Sequence, residues 1–308
     1  MKKSLFDIQV NGFAGVDFQQ KSLNAEQLRL AVEALARHET LRIFATLITD
    51  TIDSLSEKFA NFEKIRASDP VIRDCICGYH LEGPWLNSEQ GYRGAHNPSV
   101  MSAPCWDDFQ LLQDAAGGNI RLVTLAPELP GAISFIKKLS ENGVQSSIGH
   151  SNASFAVVKN AISAGMKFCT HLGNGVPSEL HRHDNIMQRL LAEDELTAFL
   201  IPDGIHLPPW VFKNFFRAKP PGKALFTTDC MAAAGAPAGF YSLGEITVQV
   251  ALDRIVRQPG TRGFAGSALA PDEGVVKAAE MLNISQEEAR HLFSEEVASR
   301  FGVALPSI

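Results

Sequence analysis

Two imidazoles and one carboxylate, each just beyond an apolar run, give this chain a set of side chains able to hold a metal ion. Glu82 lies in His80-Leu-Glu-Gly-Pro-Trp85, His150 in Ile148-Gly-His-Ser-Asn152, and His171 in Thr170-His-Leu-Gly-Asn174. Taken singly, each has a plainer reading: a rim salt bridge for Glu82, hydrogen-bonded rim histidines for the other two. Taken together they form His2Glu, and that set with an open fourth position is a known catalytic zinc pattern. Asp229, in Thr227-Thr-Asp229, is the natural general base and acid, because a carboxylate beside an activated water can take its proton and pass it to a leaving nitrogen. The alternative for Asp229 is a turn or N-cap aspartate. His206, in Asp203-Gly-Ile-His206, could donate to a carbonyl oxygen as charge develops there. Asp203 could equally be an Asx-turn residue that only orients the loop.

These residues need elements that deliver them to one place. Strand-like runs occur at Leu5 to Val10, Ile43 to Thr49, Asp74 to His80, Ile120 to Leu125, Val144 to Ile148, Met166 to Thr170, Thr197 to Ile201 and Ala224 to Thr228. Helix-like segments alternate with them. Asn24 caps one whose Leu28, Val32 and Leu35 share a face. Another runs from about Ser54 to Arg66, and a third ends at Asn142 with Gly143 as its stop. Eight strands with intervening helices predict an α/β fold of the (β/α)8 TIM-barrel type, and the polar motifs recur where parallel strands end, which is where such barrels build active sites. The loop from Gly83 to Pro104 is long enough to be functional. Tyr241 to Arg257 alternates apolar and polar residues, as in a hairpin excursion after the eighth strand. Helices over Asp272 to Leu282 and after Ser285 and Ser294 close the chain. No composition shift divides it, so residues 1–308 are expected to form a single catalytic barrel domain.

Many metal hydrolases of this barrel type carry His-x-His at the end of the first strand. Here that place reads Gln9-Val10-Asn11. Amides are poor ligands beside imidazole, so one tight metal site is expected, with Gln9 bonding the water or the substrate. The ligand set suits zinc, with iron(II) or manganese(II) compatible. Backbone N–H groups in Gly173-Asn174-Gly175 and Gly263-Phe-Ala-Gly-Ser267 could approach a phosphate or sugar closely, or the two stretches are plain turns.

Composition narrows the field. The 308 residues are 45% apolar, and eight strand–helix units need about 250. A formal charge of −6 argues against a nucleic-acid surface but leaves room for a local basic patch that meets a small anion. No apolar run approaches a membrane span. Asp7 interrupts the N-terminus before a signal-peptide core could form. The five cysteines form no zinc-finger pair and read as reduced thiols of a cytoplasmic protein.

At this point the chain resembles the N-acetylglucosamine-6-phosphate deacetylase family of the amidohydrolase superfamily. The matching words are Asp7-Ile-Gln-Val-Asn-Gly12, His80-Leu-Glu-Gly-Pro-Trp85, Gly94-Ala-His-Asn-Pro98, Gly149-His-Ser151, Thr170-His-Leu-Gly-Asn174, Asp203-Gly-Ile-His206, Thr228-Asp229 and Ala265-Gly-Ser267. Their order holds over nearly the whole chain. The resemblance implies one divalent metal on Glu82, His150 and His171, with Asp229 in the position of the proton-shuttling residue and His206 in that of the residue assisting the acetyl carbonyl. It implies that Asn174 and Gly175 meet the substrate phosphate through backbone amides. It also places Ala95 and His96 in a substrate loop, and Phe264, Ala265 and Gly266 where the sugar is contacted. Family members are usually homodimers with the site near the subunit interface. They also carry a small β-sandwich that this chain is expected to lack.

The family's phosphate-binding arginine usually sits in a Gly-Arg-Glu-Pro-Gly-like stretch. Here Glu179-Leu-His-Arg-His-Asp-Asn185 offers Arg182 at matching spacing, and a guanidinium suits phosphate. The expected activity is metal-dependent hydrolysis of the acetamide of an N-acetylated amino sugar, as its 6-phosphate. The competing readings are the same chemistry on a different amide or an unphosphorylated substrate, and a non-catalytic sugar-binding barrel.

Overall fold

The computed structural model describes residues 2–260 and 263–308. Thirteen strands are present among them: β1 (Leu5–Val10), β2 (Gly12–Phe13), β3 (Val16–Asp17), β4 (Thr40–Ile48), β5 (Ile76–Glu82), β6 (Ile120–Leu125), β7 (Gln145–Ile148), β8 (Phe168–Cys169), β9 (Thr197–Leu200), β10 (Ala224–Phe226), β11 (Gly239–Leu243), β12 (Ile246–Val250) and β13 (Val256–Arg257). Eight of them, in the order β1-β4-β5-β6-β7-β8-β9-β10, make one sheet in which every neighbouring pair is parallel. Helices cross over between them, as parallel neighbours require. This is the expected (β/α)8 barrel, nearly closed.

Its seam is closed by side chains. Asp7 on β1 accepts the hydroxyls of Thr227 (2.6 Å) and Thr228 (2.5 Å), just past β10, and the Thr228 backbone N–H at 3.2 Å. A single parallel bridge, Val10 to Cys230, extends the closure. Burial pushes the Asp7 carboxyl up to about 6, even against these hydrogen bonds.

The barrel interior is polar. His80 lies between Thr46 (3.4 Å) and Thr124 (2.7 Å), and Thr124 bonds Thr170 at 2.7 Å. Thr124 belongs to β6 and Thr170 directly follows β8, and these strands are not sheet neighbours, so their bond crosses the interior. One end of the barrel is plugged. Phe301, from the helix Glu295–Phe301, packs its ring against Phe44 at 5.1 Å and Phe168 at 5.0 Å, with Phe6 at 6.2 Å. Phe6 and Phe168 stand near the beginnings of their strands. The opposite end, where the strands finish, is left for the site.

Local chemistry accounts for the elements. The helix Ala25–Arg37 starts in a capping box between Asn24 and Gln27, and buries Leu28, Val32 and Leu35. The excursion after β10 is the antiparallel sheet β11-β12-β13. Its Leu243, Val248, Val250 and Val256 pack on Met231 to Ala233, Ala265 and Ala268 as a second small core.

Several boundaries differ from expectation. A short helix, Pro70–Cys75, takes the start of the expected third strand. Asp69 caps it through the N–H groups of Val71 and Ile72, and Pro70 begins it. The sixth and eighth strands are shorter than expected because the chain turns left-handed at His171 (φ 28°) and Asp229 (φ 52°).

Candidate metal centre

Glu82 is the last residue of β5, while His150 and His171 lie two residues past β7 and β8. All three are buried, and their ligand atoms lie within 4.8 Å of one another. Glu82 Oε1 sits 3.0 Å from His171 Nε2 and 3.4 Å from His150 Nε2. Burial alone would push the Glu82 carboxyl up, but bonds to the two imidazoles outweigh it and hold it well below the usual carboxylate range. The same pairing raises His171 against the opposite pull of burial.

The tautomer of His150 follows from its other nitrogen. Nδ1 lies 2.7 Å from the carbonyl oxygen of Tyr92, which can only accept, so Nδ1 carries a hydrogen and Nε2 is the nitrogen aimed at the centre. His171 Nδ1 is buried with no hydrogen-bond partner. One ionised carboxylate, one imidazole poised to ligate and one incompletely satisfied imidazole fit a divalent cation. Gln9, expected to bond water or substrate, donates its amide N–H to Glu82 Oε2 at 3.1 Å.

Asp229 stands beside this group with its carboxyl raised to about 7, first by burial and then by the charge of Glu82. Its Oδ1 accepts the Asn11 amide at 2.8 Å. Neighbouring carboxyls are thus driven apart, one firmly ionised and one near neutrality, which is how a site separates a charge-bearing group from a proton carrier. Ser267 braces the strand end: its N–H donates to the Asp229 carbonyl (2.8 Å) and its hydroxyl to that of Thr228 (2.6 Å).

Of the other expected residues, His96, Asn174, Gly175 and Gly266 touch the ligand histidines or the Asp229 carbonyl. His206 follows β9 and packs its ring against Phe264 at 5.0 Å. The His96 ring lies 4.5 Å from that of His150, and its Nδ1 is 2.8 Å from the Thr49 hydroxyl. Ala95 is partly buried against the hairpin core, while Ala265 is fully inside it. Gly266, at φ 69°, lies under the Asp229 carbonyl. Asn174 caps the His171 carbonyl with its backbone N–H (2.9 Å) and its side chain (3.1 Å). Gly175 abuts the His150 ring: a Cβ there would stand 2.7 Å from Nδ1. Arg182 is in the exposed stretch 181–184 and forms no ion pair among the described residues; no hydrogen bond joins it to the Glu82 group.

Asn11, Ser267 and the Tyr92 carbonyl were not among the expected site residues. Asn11 could have been found, since it stands two residues from Gln9, just past the end of β1 where the polar motifs gather. Ser267 lies within a glycine-rich stretch that was noted for its backbone alone. A carbonyl acceptor such as that of Tyr92 leaves no mark on residue type.

No family model matches the chain. Curated proteins do. The chain is 31% identical over 301 residues to the N-acetylglucosamine-6-phosphate deacetylase of Bacillus subtilis, spanning 97% of this chain and 74% of that protein. It is 32% identical over 307 residues to the Bos taurus protein of the same name, spanning 96% and 73%. Among solved structures, a mutant N-acetyl-D-glucosamine-6-phosphate deacetylase from Mycobacterium smegmatis, in complex with N-acetyl-D-glucosamine-6-phosphate, superimposes with a TM-score of 0.88 at 28% identity, covering 99% of this chain and 79% of that one. The Pasteurella multocida deacetylase superimposes with a TM-score of 0.88 at 26% identity, covering 99% and 78%.

Proposed function

The chain belongs to the N-acetylglucosamine-6-phosphate deacetylase family, and on that premise we propose that it hydrolyses the acetamide of N-acetylglucosamine 6-phosphate to glucosamine 6-phosphate and acetate. The observation that carries this reading is the convergence of Glu82, His150 and His171 within 4.8 Å beside a buried Asp229 whose carboxyl is raised to about 7. A sugar-binding barrel without chemistry has no use for such a pairing.

A divalent ion, zinc in this proposal, would be held by Glu82, His150 and His171 and would supply Lewis-acid activation of water at neutral pH. Gln9 and the Tyr92 carbonyl orient two of those ligands through the bonds already described. Asp229 takes the proton of the attacking water. Its Oδ1 is engaged by the Asn11 amide, so Oδ2 is the oxygen that carries the proton. Protonated Asp229 then delivers it to the departing amine nitrogen, a step for which a carboxyl near neutrality is suited. His206 faces the acetyl carbonyl and stabilises the charge that grows on its oxygen.

The remaining assignments belong to the same proposal. Arg182 meets the 6-phosphate, with the Asn174 and Gly175 backbone beside it. Ala95 and His96 border the substrate, and Phe264 to Gly266 line the sugar. Residues 1–308 act as one catalytic barrel domain. Cytoplasmic residence is supported by five free thiols; no helix among the described residues is long and apolar enough to cross a membrane. A homodimer is supported by exposed Phe240 and Leu252 on the hairpin.

The test is acetate release by zinc-loaded protein, comparing N-acetylglucosamine 6-phosphate with its unphosphorylated form and a panel of N-acyl amino acids. The phosphorylated sugar is expected to be preferred. Asp229→Asn is expected to fold and bind zinc while kcat falls by about 100-fold or more. Preference for another amide, or near-normal kcat in that variant, would overturn the reading.

A further inference from the structure

The loop after β9 holds an aspartate and a histidine in a bonding pattern that leaves one arrangement of hydrogens. Asp203 Oδ1 accepts two backbone N–H groups, from Ile205 at 2.8 Å and His206 at 2.9 Å. Its Oδ2 lies 2.6 Å from His206 Nδ1. Asp203 is buried, which alone would raise its carboxyl, but the His206 bond and charge outweigh this and keep it below the ordinary range. The oxygen facing Nδ1 is therefore an acceptor, and Nδ1 must supply the hydrogen. Lys277, from the helix Pro271–Leu282, donates to the Asp203 carbonyl at 3.0 Å and ties the loop to the barrel wall. On the other side the His206 ring meets Phe264 edge to face, at 62°. The ring is held on both sides, with only Nε2 left to meet a ligand.

We propose that Asp203 is a positioning residue of this site: through Oδ2 it locks His206 in the form protonated at Nδ1, so that the ring meets the substrate through Nε2 alone. With Nδ1–H committed, a neutral ring would offer only a lone pair at Nε2. Donation to an oxygen gathering negative charge then requires the second proton, and the Asp203 carboxylate, 2.6 Å from Nδ1, is the negative group that faces that charged ring. The role of Nε2 rests on the deacetylase reading. The placement of the Nδ1 hydrogen does not, and it is measurable without substrate.

Asp203→Asn separates the two parts of the aspartate's work. The Ile205 and His206 N–H groups both demand an acceptor at Oδ1, so the new amide must keep its oxygen there and turn its NH2 toward Nδ1. A donor facing Nδ1 reverses the tautomer, leaving the hydrogen of the neutral ring on Nε2. The measurement is a 15N–1H correlation of the imidazoles in zinc-loaded protein, with the His206 signals identified by their loss in His206→Gln. Wild type is expected to be protonated at Nδ1, and Asp203→Asn unprotonated there. Zinc content is expected to be unchanged, with kcat lower by about 100-fold or more and KM within about threefold, because a neutral Nε2–H replaces the charged donor that the growing oxyanion would otherwise meet. An unprotonated Nδ1 in wild type, an unchanged tautomer in the variant, or kcat within about threefold of wild type overturns the proposal. If Asp203→Asn does not fold, Asp203→Ser keeps an oxygen for the turn and none for Nδ1. The same drop in kcat at constant KM is then expected, and its absence overturns the proposal. Should wild type release no acetate, the deacetylase reading fails, and the tautomer comparison alone decides the role of Asp203.

Discussion

Gly175→Ala tests whether the site's geometry, and not only its residue types, holds the metal ligands. Gly175 has φ 62°, and a Cβ there would lie 2.7 Å from His150 Nδ1 and 2.8 Å from Cε1. Ordinary contact begins near 3.4 Å, so ring or loop must yield by the difference, about 0.7 Å. The ring has little room to move away, because Gly94 lies on it too, with a Cβ position 2.9 Å from Cε1. Displacing Nδ1 that far breaks its 2.7 Å bond to the Tyr92 carbonyl, a loss of about 1 kcal/mol. Left-handed backbone for alanine adds about 1–2 kcal/mol, and the contact itself contributes further. The control is Gly143→Ala: its φ is 73° with nothing within 4 Å of a Cβ, so it carries the backbone cost alone. Denaturant melts of the metal-free proteins are expected to show a loss of about 1–2 kcal/mol for Gly143→Ala and about 2–4 kcal/mol for Gly175→Ala. Zinc titration against a competing chelator is expected to show affinity lower by about 10–100-fold in Gly175→Ala only, the usual cost of disturbing a ligand's orienting bond. If both variants lose equal stability and both keep wild-type zinc affinity, His150 is not held by this contact.

Asp7→Asn should remove a pH dependence from the barrel seam. The folded carboxyl, raised to about 6, lies above the ordinary aspartate value of 3.8. The folded state therefore holds the extra proton between those values, and stability from this group is full below about 4 and declines as pH rises through about 6. The difference corresponds to about 3 kcal/mol, so relative to wild type the variant should gain about that much between pH 4 and pH 7 in urea melts; parallel profiles would refute the assignment. Phe301→Ala should cost about 3–5 kcal/mol by emptying the aromatic plug, read as a lower urea midpoint, with zinc affinity unchanged because the plug is at the end away from the site.

The parts of the fold legible in the sequence were those written in local chemistry. β1 runs from Leu5 to Val10 as its apolar run suggests, and Asn24 with Gln27 announces the helix that follows. The sixth and eighth strands end sooner than expected, because Thr170, Thr227 and Thr228, strand formers by type, lie past the last ladder pairs and nothing in them marks where the backbone turns. The helix at Pro70 overlaps the expected third strand only at Asp74 and Cys75, and Asp69-Pro70 is its start signal. In the site, Glu82, His150, His171 and Asp229 could be named from motifs because few side-chain types serve metals and protons. Bracing through backbone atoms, such as the Tyr92 carbonyl on His150, is invisible to such a reading. So is the reason for Gly175: its motif suggests a close approach, but only the structure gives the His150 ring as the group approached.

A strand alternates its side chains, so continuing β7, β8 or β10 regularly would send successive residues to opposite faces. His150, His171 and Asp229 escape that rule. Their φ values of 51°, 28° and 52° turn each backbone left-handed just where its strand ends, a conformation costing an L-residue about 1–2 kcal/mol. Each is held there by bonds that a regular strand end would not make. His150 is held by Tyr92, His171 by Glu82 and by Asn174 on its carbonyl, and Asp229 by Asn11 and Ser267. Strain at three successive functional positions, each countered by its own contacts, marks a site whose geometry is stored in the folded chain before any ligand arrives. The metal would then meet ligands already gathered within 4.8 Å, and its binding energy would go into affinity and not into assembling the site.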